Sequence, residues 1–231
     1  MTSPIIDDRT DKLLEQMRQQ AERLAPRVEA LMAADPQMKP WTAMTIAQDE
    51  ESLVRAREAI AAGGNPEHEV NIVGSYARFD AAVELLPPKV LYRDIIELWR
   101  GADPDDSKPE FLAAWKAAHA AKVGPRPKHP TSYLRDGKPI PGRGRVIEVY
   151  RGQDAGPPSG IAWSTSSEVA ERFATGAATR QRDREGVLLY GSILREKVLA
   201  YITGRGEFEV VLDPTDLMFV TELARWKRVE K

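Results

Sequence analysis

Gly206-Glu207-Phe208-Glu209-Val210-Val211-Leu212 sets two carboxylates two residues apart at the head of a β-forming run. Side chains alternate faces along a strand, so a strand over 207–212 points Glu207 and Glu209 one way, about 7 Å apart, and Phe208, Val210 and Leu212 the other. The apolar set faces a core; the acids face a cleft or solvent. Glu is depleted in strands and like charges repel, so a plain core strand gains nothing from this pair. A cleft that handles positive charge does.

Working outward from this run, further β-like segments occupy Val146 to Arg151, Val187 to Arg195, Val198 to Ile202 and Leu217 to Thr221. One helix interrupts them. Thr165-Ser166-Ser167-Glu168 reads as its capping box, and Val169, Ala170, Phe173 and Ala174 form its apolar face. This order predicts an α+β fold with a mostly antiparallel sheet.

The first half has another period. Leu13, Leu14, Met17, Ala21, Leu24, Val28, Leu31 and Met32 recur at three- and four-residue steps and predict an amphipathic helix from Asp8 to Ala34. Further helices are expected over Asp49 to Ala62, Val90 to Arg100 and Glu110 to Lys122. Pro125 to Gly144, rich in Pro, Gly and Lys, reads as an extended connector, which divides the chain into a helical N-terminal region, 1–124, and a second domain, 125–231.

Composition excludes several classes. A chain of 231 residues, 42% hydrophobic and 29% charged, is long enough to bury a substantial core. No run of about 18 apolar residues exists and Met1 to Asp11 is polar, so neither a membrane span nor a secretory signal is expected, and the protein reads as cytoplasmic. Zero cysteines exclude disulfides and a thiolate nucleophile, and His68, His119 and His129 lack ligand-like spacing, so no metal is expected. Residues 1–124 carry 15 Lys and Arg against 21 Asp and Glu, whereas 125–231 carry 18 against 14. Basic residues concentrate between Arg126 and Arg151, a stretch that suits phosphates or a solvated loop equally.

Three features of the second half stand in order. Arg151 ends an apolar strand face and is followed by Gly152; Trp163-Ser164-Thr165-Ser166 leads into a helix N-terminus; Glu207-Phe208-Glu209 opens a strand. Arg, then Ser-Thr-Ser, then Glu-x-Glu resembles the mono-ADP-ribosyltransferase superfamily of the Arg/Ser-Thr-Ser/Glu class, which includes bacterial toxins and related phage and vertebrate enzymes. The resemblance covers roughly Arg145 to Val220 and implies a split, mostly antiparallel sheet with NAD⁺ as co-substrate.

By that resemblance, Glu209 is the catalytic carboxylate, bonding the ribose 2′-hydroxyl beside oxocarbenium-like positive charge. Glu207 orients or deprotonates the acceptor. Arg151 grips the NAD⁺ phosphates and Gly152 allows close backbone approach to the nicotinamide amide. Ser164 hydrogen-bonds Glu209, and Thr165 shapes the pocket. Glu-x-Glu accompanies arginine acceptors in this family, so the implied acceptor is a protein arginine, with a nucleic-acid base as the other class, and the implied setting is a bacterial cytoplasm reached by a phage or toxin effector. An NAD⁺ glycohydrolase and a catalytically inactive binding protein of the same fold are the alternatives.

Overall fold

In the computed structural model, which describes residues 8–102, 105–123, 133–177 and 185–227, the helical period of the first half becomes six helices. These are α1 (Asp8–Ala34), α2 (Pro40–Ala61), α3 (Pro66–Asn71), α4 (Ser75–Leu85), α5 (Pro88–Arg100) and α6 (Pro109–Val123). Proline opens α2, α3 and α5, where its missing N–H costs nothing and its fixed φ suits the first turn. Helix α2 starts at Pro40 rather than at the expected Asp49, and the short α3 and α4 had no strong periodic signal. Asn65 caps α3 by accepting the Glu67 N–H, and Gly74 precedes α4 because the Asp49 carboxylate occupies the space a Cβ there would need.

The second half contributes β1 (Leu134–Arg135), β2 (Val146–Asp154), β3 (Ala162–Ser164), α7 (Ser167–Ala174), β4 (Gly186–Leu194), β5 (Ala200–Ile202), β6 (Glu209–Val211) and β7 (Phe219–Trp226). They form a seven-stranded mixed sheet in the order β1-β5-β6-β3-β2-β4-β7, with β1 parallel to β5 and the remaining neighbours antiparallel. The α+β expectation therefore holds at that level. Strands β2 and β3 are joined through one residue pair, Tyr150 with Ser164, whereas β2 and β4 pair over nine residues. The sheet thus opens beside β3.

Two cores share this sheet. Val210 and Leu212 pack with Val149, Trp163, Leu189 and Ile193 on one side. Val211 turns the other way, joining Ala200, Ile202 and Ile161 to the helical residues Phe79, Trp99, Phe111 and Trp115. Strand β6 is therefore covered on both faces, not left open on one. Burying a side chain of this kind stabilises by roughly 1.5–3 kcal/mol, so the helical half gains much of its stability against the sheet. Phe208 departs from the sequence reading: its φ is 49° and its ring is exposed, because the chain turns there and β6 begins one residue later.

Part of the expected connector lies outside the described residues, at 125–132. The rest is pinned rather than free. Buried Arg195 donates to the carbonyls of Gly144, Ile140 and Pro141 at 2.9, 3.0 and 3.1 Å, and the Tyr133 hydroxyl accepts the Ile140 N–H at 2.7 Å. No helix of the described residues is long and apolar enough to cross a membrane.

Candidate active site

The opening of the sheet beside β3 creates the site. Glu209 pairs with Ser164, and Ser164 with Tyr150, so one row of side chains crosses β6, β3 and β2 on the same face. Helix α7 closes a second wall with Val169, Ala170 and Phe173, and the helical half adds Trp99 and Asp106. The resulting cleft has about 200 Å³ of space. Arg151, Gly152, Ser164, Glu207 and Glu209 all line it; Thr165 does not.

Glu209 is 6% exposed, and its carboxylate accepts the Trp99 indole N–H at 2.5 Å and an Arg205 N–H at 3.4 Å. Burial pushes its pKa up to about 7; the Trp99 bond and the Arg205 charge pull it down, while Glu207 and Asp106 add to the rise. A carboxylate so placed is poised at neutral pH, the behaviour expected of a group with a chemical task. Glu207 is less enclosed and pairs with Arg205 at 3.1 Å. Arg205 therefore bridges the two acids whose repulsion the sequence leaves unanswered.

The Ser-Thr-Ser segment works differently from its implied role. The Ser164 hydroxyl donates to the Glu207 carbonyl at 2.7 Å and accepts the Ser166 N–H at 3.0 Å, so the hydrogen bond to the Glu209 carboxylate is made by Trp99 instead. The Thr165 N–H donates to the Phe208 carbonyl at 3.0 Å, and the Thr165 hydroxyl lies 3.5 Å from that of Tyr201, away from the cavity. Together these bonds clamp the backbone of 207–208, whose positive φ at Phe208 is a costly conformation for a bulky residue. The cap of α7 is Ser166, which accepts the Val169 N–H, one residue later than the capping box read from the sequence.

Arg151 reaches into the opening between β2 and β3. Its Nη1 and Nη2 meet Asp106 at 2.7 and 2.9 Å, Nε donates to Gln153 at 3.0 Å, and Nη1 also donates to the Ala162 carbonyl. Four of the five N–H groups of a guanidinium are thereby engaged, leaving one on Nη2. Asp106 in turn accepts the Ala162 N–H at 2.9 Å. Gly160, at φ +82°, lets the chain pass over this pair, because a Cβ there would sit 2.4 Å from Arg151 Nη2. Gly152 is required for a different close approach from the one implied: a Cβ would sit 1.8 Å from the Ala170 carbonyl, so α7 packs directly on β2 at this residue.

No family model, curated protein or solved structure matches this chain. The site is therefore read from its own chemistry: a buried carboxylate of raised pKa, a second carboxylate at the rim, two guanidinium groups and an aromatic wall of Phe173 and Tyr150. Among the described residues no group of three or more His, Cys, Asp or Glu could hold a metal ion. Sequence reasoning missed Trp99 and Asp106, which lie 110 and 45 residues from Glu209 and Arg151 and meet them through tertiary packing. Trp99 sits on the apolar face of α5 and reads as core, which it also is; only its indole N–H, which needs a partner when buried, hinted at more.

Proposed function

We propose that this chain is an NAD⁺-dependent mono-ADP-ribosyltransferase whose acceptor is a protein arginine. The observation that carries the reading is the convergence of Arg151, Ser164, Glu207 and Glu209, spread over 59 positions of sequence, on one cavity. The donor set suits the dinucleotide. Guanidinium groups of Arg151 and Arg205 complement its phosphates, Phe173 and Tyr150 offer an apolar wall to the nicotinamide ring, and Glu209 supplies negative charge where cleavage develops positive charge.

In the reaction the bond between ribose C1′ and the nicotinamide nitrogen breaks, and its electron pair leaves with nicotinamide. A guanidino nitrogen of the acceptor forms the new bond to C1′ and gives its proton to Glu207. Glu209, ionised and held by Trp99, stabilises the oxocarbenium character at C1′ and bonds the 2′-hydroxyl. The buried site lends this charge more force than water would allow.

The test is transfer of label from NAD⁺ to protein in a cell lysate, followed by separate protease and nuclease digestion of the product. Protease-sensitive label that Glu209→Gln eliminates is the expected result. Equal labelling by both forms would refute the assignment, nuclease-sensitive label would move the acceptor to a nucleic acid, and nicotinamide release without label would identify a glycohydrolase.

A further inference from the structure

Beside the cavity mouth, the face of β2, β4 and β7 carries a cluster of which the transfer chemistry uses Tyr150 alone. Tyr150 stands opposite Tyr190, and the row next to them holds Glu148, Ser192 and Phe219. The ring centroids of Tyr150 and Tyr190 lie 5.4 Å apart, as do those of Tyr190 and Phe219. The Tyr190 hydroxyl donates to one Glu148 oxygen at 3.0 Å and the Tyr150 hydroxyl to the other at 3.4 Å. Among the described residues no Lys or Arg pairs with Glu148, whereas Glu196, Asp216 and Glu222 of the same half each meet a base.

Cross-strand stacking explains why two tyrosines face each other on a sheet. It does not explain a carboxylate without a basic partner among them, nor why Phe219 and Val146 stay 46% exposed on the same face. Helix α7 covers the neighbouring row, meeting β2 at Gly152 and packing against Leu188 and one side of Tyr150, and leaves Glu148 and Phe219 exposed. Aromatic ring faces around an exposed negative charge are the recognition chemistry of a cation, and of a flat guanidinium most of all. Tyr150 belongs to both the cluster and the cavity lining, so the two sites are continuous.

We propose that Glu148, Tyr150, Tyr190 and Phe219 form an acceptor-docking subsite that takes a second arginine side chain of the protein substrate, flanking the one modified at the cavity. The proposal rests on the transferase reading. Its spacing follows from the sheet: Glu148 and Glu209 are separated by two strand spacings of about 4.8 Å and two residues of about 3.3 Å, or roughly 12 Å. An extended acceptor covers that distance in about three to four residues. The preferred acceptor is thus a segment with two arginines four positions apart, the even step that keeps both side chains on one face of an extended chain.

The experiment compares peptides with one arginine or with two at this spacing, using full-length wild type, Glu148→Gln and Tyr190→Ala. Wild type is expected to show a KM about 3- to 30-fold lower for the two-arginine peptide, the range of an exposed cation–aromatic contact joined to an exposed ion pair. Both variants should lose that preference while cleaving NAD⁺ alone at the wild-type rate. A preference that survives Glu148→Gln, or none in wild type, overturns the subsite. Fluorescence anisotropy with a labelled tetra-arginine peptide and no NAD⁺ separates the two readings: Glu148-dependent binding by a protein that does not cleave NAD⁺ keeps the subsite and removes the transferase. Binding of an oligothymidine that tightens in Glu148→Gln, with no peptide binding, assigns the face to nucleic acid and overturns the proposal.

Discussion

The outer surface of the helical half and its seam with the sheet use the same ion-pair chemistry in different surroundings. On the surface Arg57 of α2 meets Glu84 of α4 at 2.6 Å with side chains 47% and 45% exposed. At the seam Arg151 meets Asp106 at 2.7 Å with 13% and 17% exposed. Water screens the first pair and leaves it worth little, while the second keeps its strength only so long as both partners and their hydrogen bonds remain. The seam also carries Trp99 to Glu209, Lys116 to Asp213 and Arg205 to the Ala102 carbonyl. Charge in this molecule is costly where the candidate chemistry is, and cheap elsewhere.

The largest effect expected from breaking this arrangement is at Glu209. Glu209→Gln keeps the shape and removes the charge, and should lower the transfer rate by about 10²- to 10³-fold in a labelled-NAD⁺ assay. The same change should raise stability at alkaline pH. The carboxyl titrates near 4.5 in the unfolded chain and about 7 in the folded one, so the folded state holds the proton more tightly. The stability this contributes is complete below 4.5 and is lost as pH rises through 7. Denaturant midpoints should show wild type and variant alike near pH 4.5 and the variant ahead by about 3 kcal/mol at pH 8.

Next comes Asp106. Asp106→Ala strands the Arg151 guanidinium in the seam and frees the Ala162 N–H, and is expected to cost about 3 kcal/mol in denaturant unfolding at pH 7. A loss under 1 kcal/mol would place Arg151 in water and erase the contrast with the surface.

A smaller change tests how Glu209 is held. Trp99→Phe keeps the aromatic packing against Phe79, whose ring centroid is 4.8 Å away, and removes the indole N–H. A hydrogen bond to a charged group contributes about 1.5–3 kcal/mol, so the carboxylate becomes harder to ionise. The rising limb of the pH–rate profile should move upward by about one pH unit or more. An unmoved limb would assign Trp99 to packing alone.

How far this contrast could be read from the chain follows from its physical range. The helices around Leu24, Ile95 and Trp115 and the strands around Val149 and Ile193 announce themselves by local period, and Ser164, Glu207 and Glu209 by local spacing. Strands β1 and β3 hold two and three residues, too short for alternation to register, and owe their existence to their neighbours. The turn at Phe208 depends on a clamp from Ser164 and Thr165, some 43 residues away. Trp99 and Asp106 enter the site from helices and loops whose own sequence speaks only of packing and solvent. The candidate site was legible where one segment builds it and illegible where two halves meet.

The smallest expected effect guards the comparison from the other side. Arg57 and Glu84 form two parallel hydrogen bonds of 2.7 and 2.6 Å, a geometry as good as that of Arg151 and Asp106. If geometry alone set the energy, the two pairs would be equally costly to break. Exposure argues otherwise: both side chains keep access to water, so either can be truncated without stranding its partner, and the cost of ordering two long side chains offsets much of the attraction. A double-mutant cycle with Arg57→Ala and Glu84→Ala should give a coupling of about 0.2–1 kcal/mol, falling further in added salt. A coupling near that of the seam pair would mean that bond geometry, rather than removal from water, decides what an ion pair is worth in this fold.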